Sequence, residues 1–145
     1  MKTATPRLRR RAREAALQIL YQWEIGRGDL ERAIETVFTL QWPDATAPPE
    51  ALREYASALA RETVQQLPQL DALIAETAER WRPERMAVLD RLILRMAACE
   101  LQRADAEPPA VIINEALELA RTFSSEESVK FINGMLDGMR KKTDR

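Results

Sequence analysis

The sequence contains no histidine. That removes the side chain most often used as a general base near neutral pH, and the commonest metal ligand. It contains one cysteine, Cys99, so neither an intrachain disulfide nor a thiolate zinc site can be assembled. A lone thiol fits a reducing cytoplasm. Glycine is scarce, at 4 of 145 residues, and no glycine-rich phosphate loop or dinucleotide fingerprint occurs. No apolar run approaches the length of a membrane span. The basic start leads into an amphipathic segment containing Arg13, Glu14 and Gln18, not the uninterrupted apolar stretch of a signal peptide. Strand-like alternation, hairpin dipeptides and internal repeats are also missing. Together these absences argue against an enzyme and give no reason to expect a metal or cofactor.

What is present is helix-forming. Hydrophobic residues make up 46% of the chain and charged residues 31%, which suits a soluble globular protein of one domain or two small subdomains. Alanine, leucine, glutamate and arginine dominate, so the expected class is all-α. Periodicity and breakers predict seven helices, at about 6–25, 29–40, 50–67, 69–81, 84–103, 110–122 and 125–141. QWPDATAPPE reads as a linker, and Pro68 and Arg82-Pro83 as boundaries. An N-terminal group of helices over about 1–80 and a C-terminal group over about 81–145 are expected. The carboxylates of LARETVQQL and AETAERWRPER alternate with arginines, as on solvated helix faces paired at helical spacing.

The net charge is −1, so any nucleic-acid role has to rest on local patterning. The patterning is uneven. Residues 1–13 hold six basic side chains (Lys2, Arg7, Arg9, Arg10, Arg11, Arg13) and no acid, and 140–145 is also mostly basic. On a helical wheel Ala12, Ala16, Ile19, Leu20 and Trp23 share the core stripe, while Tyr21 lines up with Arg10, Glu14 and Leu17 on the far side, close to Arg7. Guanidinium forks bind phosphate and aromatic rings stack on unpaired bases, as a single-stranded RNA site requires. The same residues also fit a basic helix start with Tyr21 packed on a neighbouring helix. Arginines at a helix N-terminus oppose its dipole, which leans toward an anionic partner.

Near the end, FSSEESVKFINGMLDGM places Gly134 and Gly138 one turn apart inside a helix. Ser124 and Glu127 have capping-box spacing, which starts the helix there. Val129, Ile132, Met135, Leu136 and Met139 form the buried stripe, and Glu127, Phe131, Gly134 and Gly138 lie together off its centre. That strip admits a close helix or an RNA backbone, and spacing does not choose between them.

RRRAREAALQILYQWE and INEALELARTFSSEESVKFINGMLDGM, with VLDRLILRMAACEL and a proline loop between them, resemble the NusB family of transcription antitermination factors. The likeness covers the whole chain and is weakest between Asp29 and Pro83. It implies an all-α fold of two packed three-helix bundles. It also implies a non-catalytic adaptor that binds the boxA element of nascent ribosomal RNA together with NusE, a small-subunit ribosomal protein. The assembly joins RNA polymerase in the cytoplasm, and some members form homodimers. The resemblance places Arg9, Arg10, Arg11, Arg13, Tyr21, Phe123, Glu127, Lys130 and Phe131 at the RNA, and Glu84 and Asp90 at NusE. Glu84 and Asp90 also suit ordinary solvated charge. The resemblance assigns the two glycines to close helix packing, and Asn114 and Asn133 to helix junctions. Ser124 and Pro109 depart from the family pattern, which often has glycine and tyrosine there.

Two other readings remain on the sequence alone. Related helical domains target RNA within ribosomal RNA cytosine methyltransferases, although 145 residues are expected to leave no room for a cofactor domain. A purely structural homodimer is the other. A DNA-binding helix-turn-helix fits less well, since no short glycine-containing turn joins two suitable helices.

Overall fold

The computed structural model describes residues 5–78, 82–103 and 107–143. Among them are seven α-helices and no strand, as the all-α expectation requires. Backbone contacts group the chain into two compact units, Met1–Glu62 and Thr63–Arg145. The division falls at 62/63 and not near residue 80, because the helix after Gln66 packs with the C-terminal helices.

In the first unit, α1 spans Pro6–Gly26. Thr5 caps it, its hydroxyl oxygen accepting the Leu8 N–H at 3.1 Å, and Pro6 occupies the first turn, where a missing N–H costs nothing. The helix stops on Arg27, which is left-handed at φ 53° and sends its N–H to the Trp23 carbonyl. The last helical residue is Gly26, and the left-handed cap falls on the arginine between Gly26 and Gly28. One face of α1 buries Ala12, Ala15, Ala16, Leu17, Ile19 and Leu20.

α2 covers Leu30–Glu35 and widens into a π-helical turn over Thr36–Leu40, so the segment expected as one α-helix changes its winding halfway. The wider turn buries Val37 and Phe38 and leaves Leu40 80% exposed. After the proline-rich stretch, α3 runs Glu50–Gln65. Arg61 on α3 grips Glu31 on α2 through two hydrogen bonds of 2.8 Å, and that contact holds the Glu31 carboxyl below its ordinary pKa.

In the second unit, α4 is Leu67–Thr77, α5 Val88–Leu101, α6 Pro109–Phe123 and α7 Glu126–Thr143. Helices α5, α6 and α7 pack on one another, and α4 lies on α5 and α7. Pro68 sits in the first turn of α4, and the boundary expected there falls at Gln66, between α3 and α4. Ala78 is extended and ends α4 at Thr77; the expected end at Trp81 lies outside the described residues. α5 begins at Val88, not Glu84, because Pro83–Arg85 forms a separate 3-10 turn. Every residue from 92 to 100 is buried, as expected of a helix apolar on most sides. The buried Arg95 forks onto Asp71 of α4 through two bonds of 2.9 Å. No helix among the described residues is long and apolar enough to cross a membrane.

Candidate nucleic-acid interface

The N-terminal arginines separate into different environments. Arg10 is exposed, and so is Arg7. Tyr21, three turns beyond Arg10 on nearly the same helical line, is 41% exposed. That part of the expected cationic and aromatic face is present. Leu17, expected on the same line, is instead 3% exposed.

Arg13 corrects the expectation more strongly. It is 3% exposed, and its guanidinium lies 5.7 Å from the ring centroid of Tyr55 on α3 while donating to the Tyr55 hydroxyl oxygen at 3.2 Å. On the wheel Arg13 shares a line with Ala16, Leu17 and Leu20, all buried, so it follows the core face inward. It ties α1 to α3 and presents nothing to a ligand. Arg9 is half-buried and lies 5.9 Å from the same Tyr55 ring. Tyr55 therefore organises two of the four expected arginines. Nothing in local periodicity points to it, since it sits 42 residues beyond Arg13 in the stretch where the family likeness is weakest.

Arg11 remains open. Its side chain is 40% exposed, and one N–H donates to the Asp44 carboxylate at 2.9 Å. The guanidinium lies 5.1 Å from the Trp42 ring, and Trp42 in turn packs on Phe38 at 5.7 Å. An exposed ion pair of this kind contributes less than about 1 kcal/mol. Neither Trp42 nor Asp44 could be picked from the linker sequence, because their partner lies on α1.

The second unit carries its own candidate face. Glu127, Lys130, Phe131 and Gly134 are exposed and fall at helical spacing along α7. Phe131 is 45% exposed and Phe123, at the end of α6, is 43% exposed. Exposed aromatic rings, one of them next to Lys130 in the sequence, suit base stacking. The turn between α6 and α7 is built one residue later than the capping-box spacing implies. Ser125 is the cap, its oxygen accepting the Ser128 N–H at 3.1 Å. Ser124 is released for another partner.

That partner is Asp90. The Ser124 and Ser128 hydroxyls donate to its two carboxylate oxygens at 2.8 and 2.7 Å, and Asp90 is only 8% exposed. The residue expected at the NusE contact thus locks α5 to the α6–α7 junction, and its burial leaves little of it open to a partner. Glu84 is exposed, on the 3-10 turn and not on a helix.

The two glycines also part company. A Cβ on Gly138 would come within 2.6 Å of Thr77 Cγ2, so this glycine permits α7 to approach α4. A Cβ on Gly134 would meet nothing within 4 Å, so close packing does not account for it. Lys2 and Arg145, at the ends of the two basic segments, lie outside the described residues.

The fold has counterparts among known proteins. The model of the NusB family matches residues 10–141. A transcription antitermination protein NusB from Solibacter usitatus is 46% identical over 134 residues, covering 92% of this chain and 89% of the relative. The structure of a T. maritima NusB superposes with a TM-score of 0.82 at 35% identity, covering 98% of this chain and 94% of that one. Antitermination factors NusB and NusE in complex with dsRNA include a chain of the same fold, with a TM-score of 0.82 at 23% identity, covering 94% of this chain and 98% of that one. A family match spanning nearly the whole chain, a relative sharing almost half its residues and a common all-helical fold lead to one conclusion: this chain belongs to the NusB family.

Proposed function

We propose that this protein is a transcription antitermination factor, a non-catalytic adaptor that binds the boxA element of nascent ribosomal RNA together with NusE. It works in the cytoplasm, within the antitermination complex on RNA polymerase. The observation that carries this reading is the pairing of exposed Arg10 with exposed Tyr21 on the outer face of α1. Exposed Lys130 and Phe131 repeat the same chemistry on α7. Arginine and lysine supply salt-dependent attraction to phosphates, and the rings stack on bases. Rings in this setting favour single-stranded RNA, whose bases are free to stack, over a duplex.

The relatives are named as antitermination proteins, and a neighbour of the same fold is seen in a complex of NusB, NusE and dsRNA. With few basic side chains available, the protein alone binds RNA modestly, and NusE raises the affinity by adding contacts. Exposed Glu84 is the candidate for the NusE contact.

The test is a titration of single-stranded boxA RNA, and of a duplex of the same sequence, against the wild type, Arg10→Ala and Tyr21→Ala, with and without NusE. The single strand is expected to bind more tightly than the duplex. Each substitution is expected to weaken binding. Unchanged affinity in both variants defeats the site assignment.

A further inference from the structure

The stretch following the π-helical turn returns to α1 and ends on Arg11. Gln18 and Gln41 join side chains at 2.7 Å, Trp42 lies against the Arg11 guanidinium, and Asp44 accepts its N–H. The seat is a built one. Trp42 is backed by Phe38, which is 3% exposed, and the Trp42 indole N–H is buried with no hydrogen-bond partner. Leaving that donor unmet is unfavourable. The placement that results puts the ring against the cation.

We infer that Trp42 positions Arg11 for an RNA backbone phosphate, and that Asp44 holds the phosphate's place until RNA arrives. This rests on the RNA-binding reading above. Carboxylate and phosphate are the two anions that a guanidinium fork matches. Arg61 and Glu31, in the same unit, share two hydrogen bonds, whereas Arg11 and Asp44 share one. Arg11 and Asp44 are 40% and 50% exposed, so an incoming anion can reach the guanidinium and displace the carboxylate. Beside Arg11 lies an open depression of about 160 Å³, lined also by Arg7, Leu8 and Pro49. Arg7 thus shares the depression with Arg11, which leaves room for a phosphate group. Asp44 neutralises one of these two cations in the free protein. RNA binding at this point is an exchange of anions, and the Asp44 charge discriminates against weakly held ligands.

The experiment is a boxA RNA titration across a salt series, using the full chain. The set comprises the wild type, Asp44→Asn, Arg11→Ala, the double variant, Trp42→Leu and Trp42→Phe. Asp44→Asn is expected to tighten binding about threefold to tenfold at low salt, and to steepen the slope of log affinity against log salt by about 0.7, one further counterion released. In the Arg11→Ala background the same change is expected to do nothing. Trp42→Leu is expected to weaken binding and Trp42→Phe to restore most of it, with thermal melts recorded for each variant.

Unchanged or weaker binding by Asp44→Asn, while the wild type binds and Arg10→Ala weakens it, overturns this inference and leaves the RNA-binding reading standing. A gain that persists without Arg11 overturns it too, since that gain reflects general charge. If the wild type binds no RNA, both readings fall.

Discussion

Gly138 faces Thr77 so closely that a Cβ added to the glycine would lie 2.6 Å from the threonine methyl carbon. Four residues earlier on the same helix, a Cβ on Gly134 would touch nothing. Two glycines that look equivalent in sequence therefore answer oppositely to one substitution. Gly138→Ala gains helix propensity of about 1 kcal/mol but forces apart α7 and a β-branched side chain with little rotamer freedom, at a cost of about 1–3 kcal/mol. A net destabilisation is expected in urea unfolding, relieved when Thr77→Ser is added. Gly134→Ala is expected to stabilise by roughly 0.5–1 kcal/mol, since nothing opposes the propensity gain.

Arg10 and Arg13 make a second contrasting pair. Arg13→Ala removes a buried cation bonded to Tyr55 and leaves a hole beneath α3. It is expected to cost roughly 2–4 kcal/mol of stability. Arg10→Ala takes away an exposed side chain, so stability is expected to stay within about 0.5 kcal/mol while RNA affinity falls. Thermal melts beside RNA titrations check both, and a loss of RNA affinity at unchanged stability for Arg13→Ala would contradict the buried placement.

These contrasts show what the sequence made legible. The start of α1 was readable because Pro6 is a local signal, and the exposed Arg10 and Tyr21 follow from simple periodicity. Arg13 was misplaced because charge suggested the surface, whereas its position on the wheel belonged to the core and Tyr55 made its burial tolerable. The start of α5 was hidden for a related reason. Arg91 donates to the carbonyls of Pro83 and Met86 at 3.1 and 3.3 Å, stabilising a 3-10 turn from up to eight residues away. Trp42 and Asp44 act on a residue some thirty positions earlier, a distance no local pattern reports.

Asp90 and Glu84 should separate stability from partner binding. Asp90→Ala strands the Ser124 and Ser128 hydroxyls and is expected to destabilise by roughly 2–3 kcal/mol, with Asp90→Asn milder because one carbonyl oxygen still accepts. NusE affinity measured on the folded protein is expected to hold for Asp90→Asn and to fall for Glu84→Gln, whose own stability is unchanged. The reverse pattern would place the Asp90 carboxylate at the partner.

The missing histidine has a consequence for pH dependence. No side chain in the chain has an ordinary pKa between the carboxylates and the single thiol, and Cys99 is buried. RNA affinity is therefore expected to stay level between about pH 5.5 and 7, where the α-amino group and the carboxylates hold their charge. Stability responds only further down. The Glu31 carboxyl is held below its unfolded value by Arg61, so its contribution is complete above the unfolded pKa and is lost as pH falls through the folded one. Because the pair is solvent-exposed, the loss is small. Urea unfolding of the wild type and Glu31→Gln should differ slightly at neutral pH and converge in acid. A transition in RNA affinity near pH 6 would instead require a titrating group in the site that the sequence does not supply.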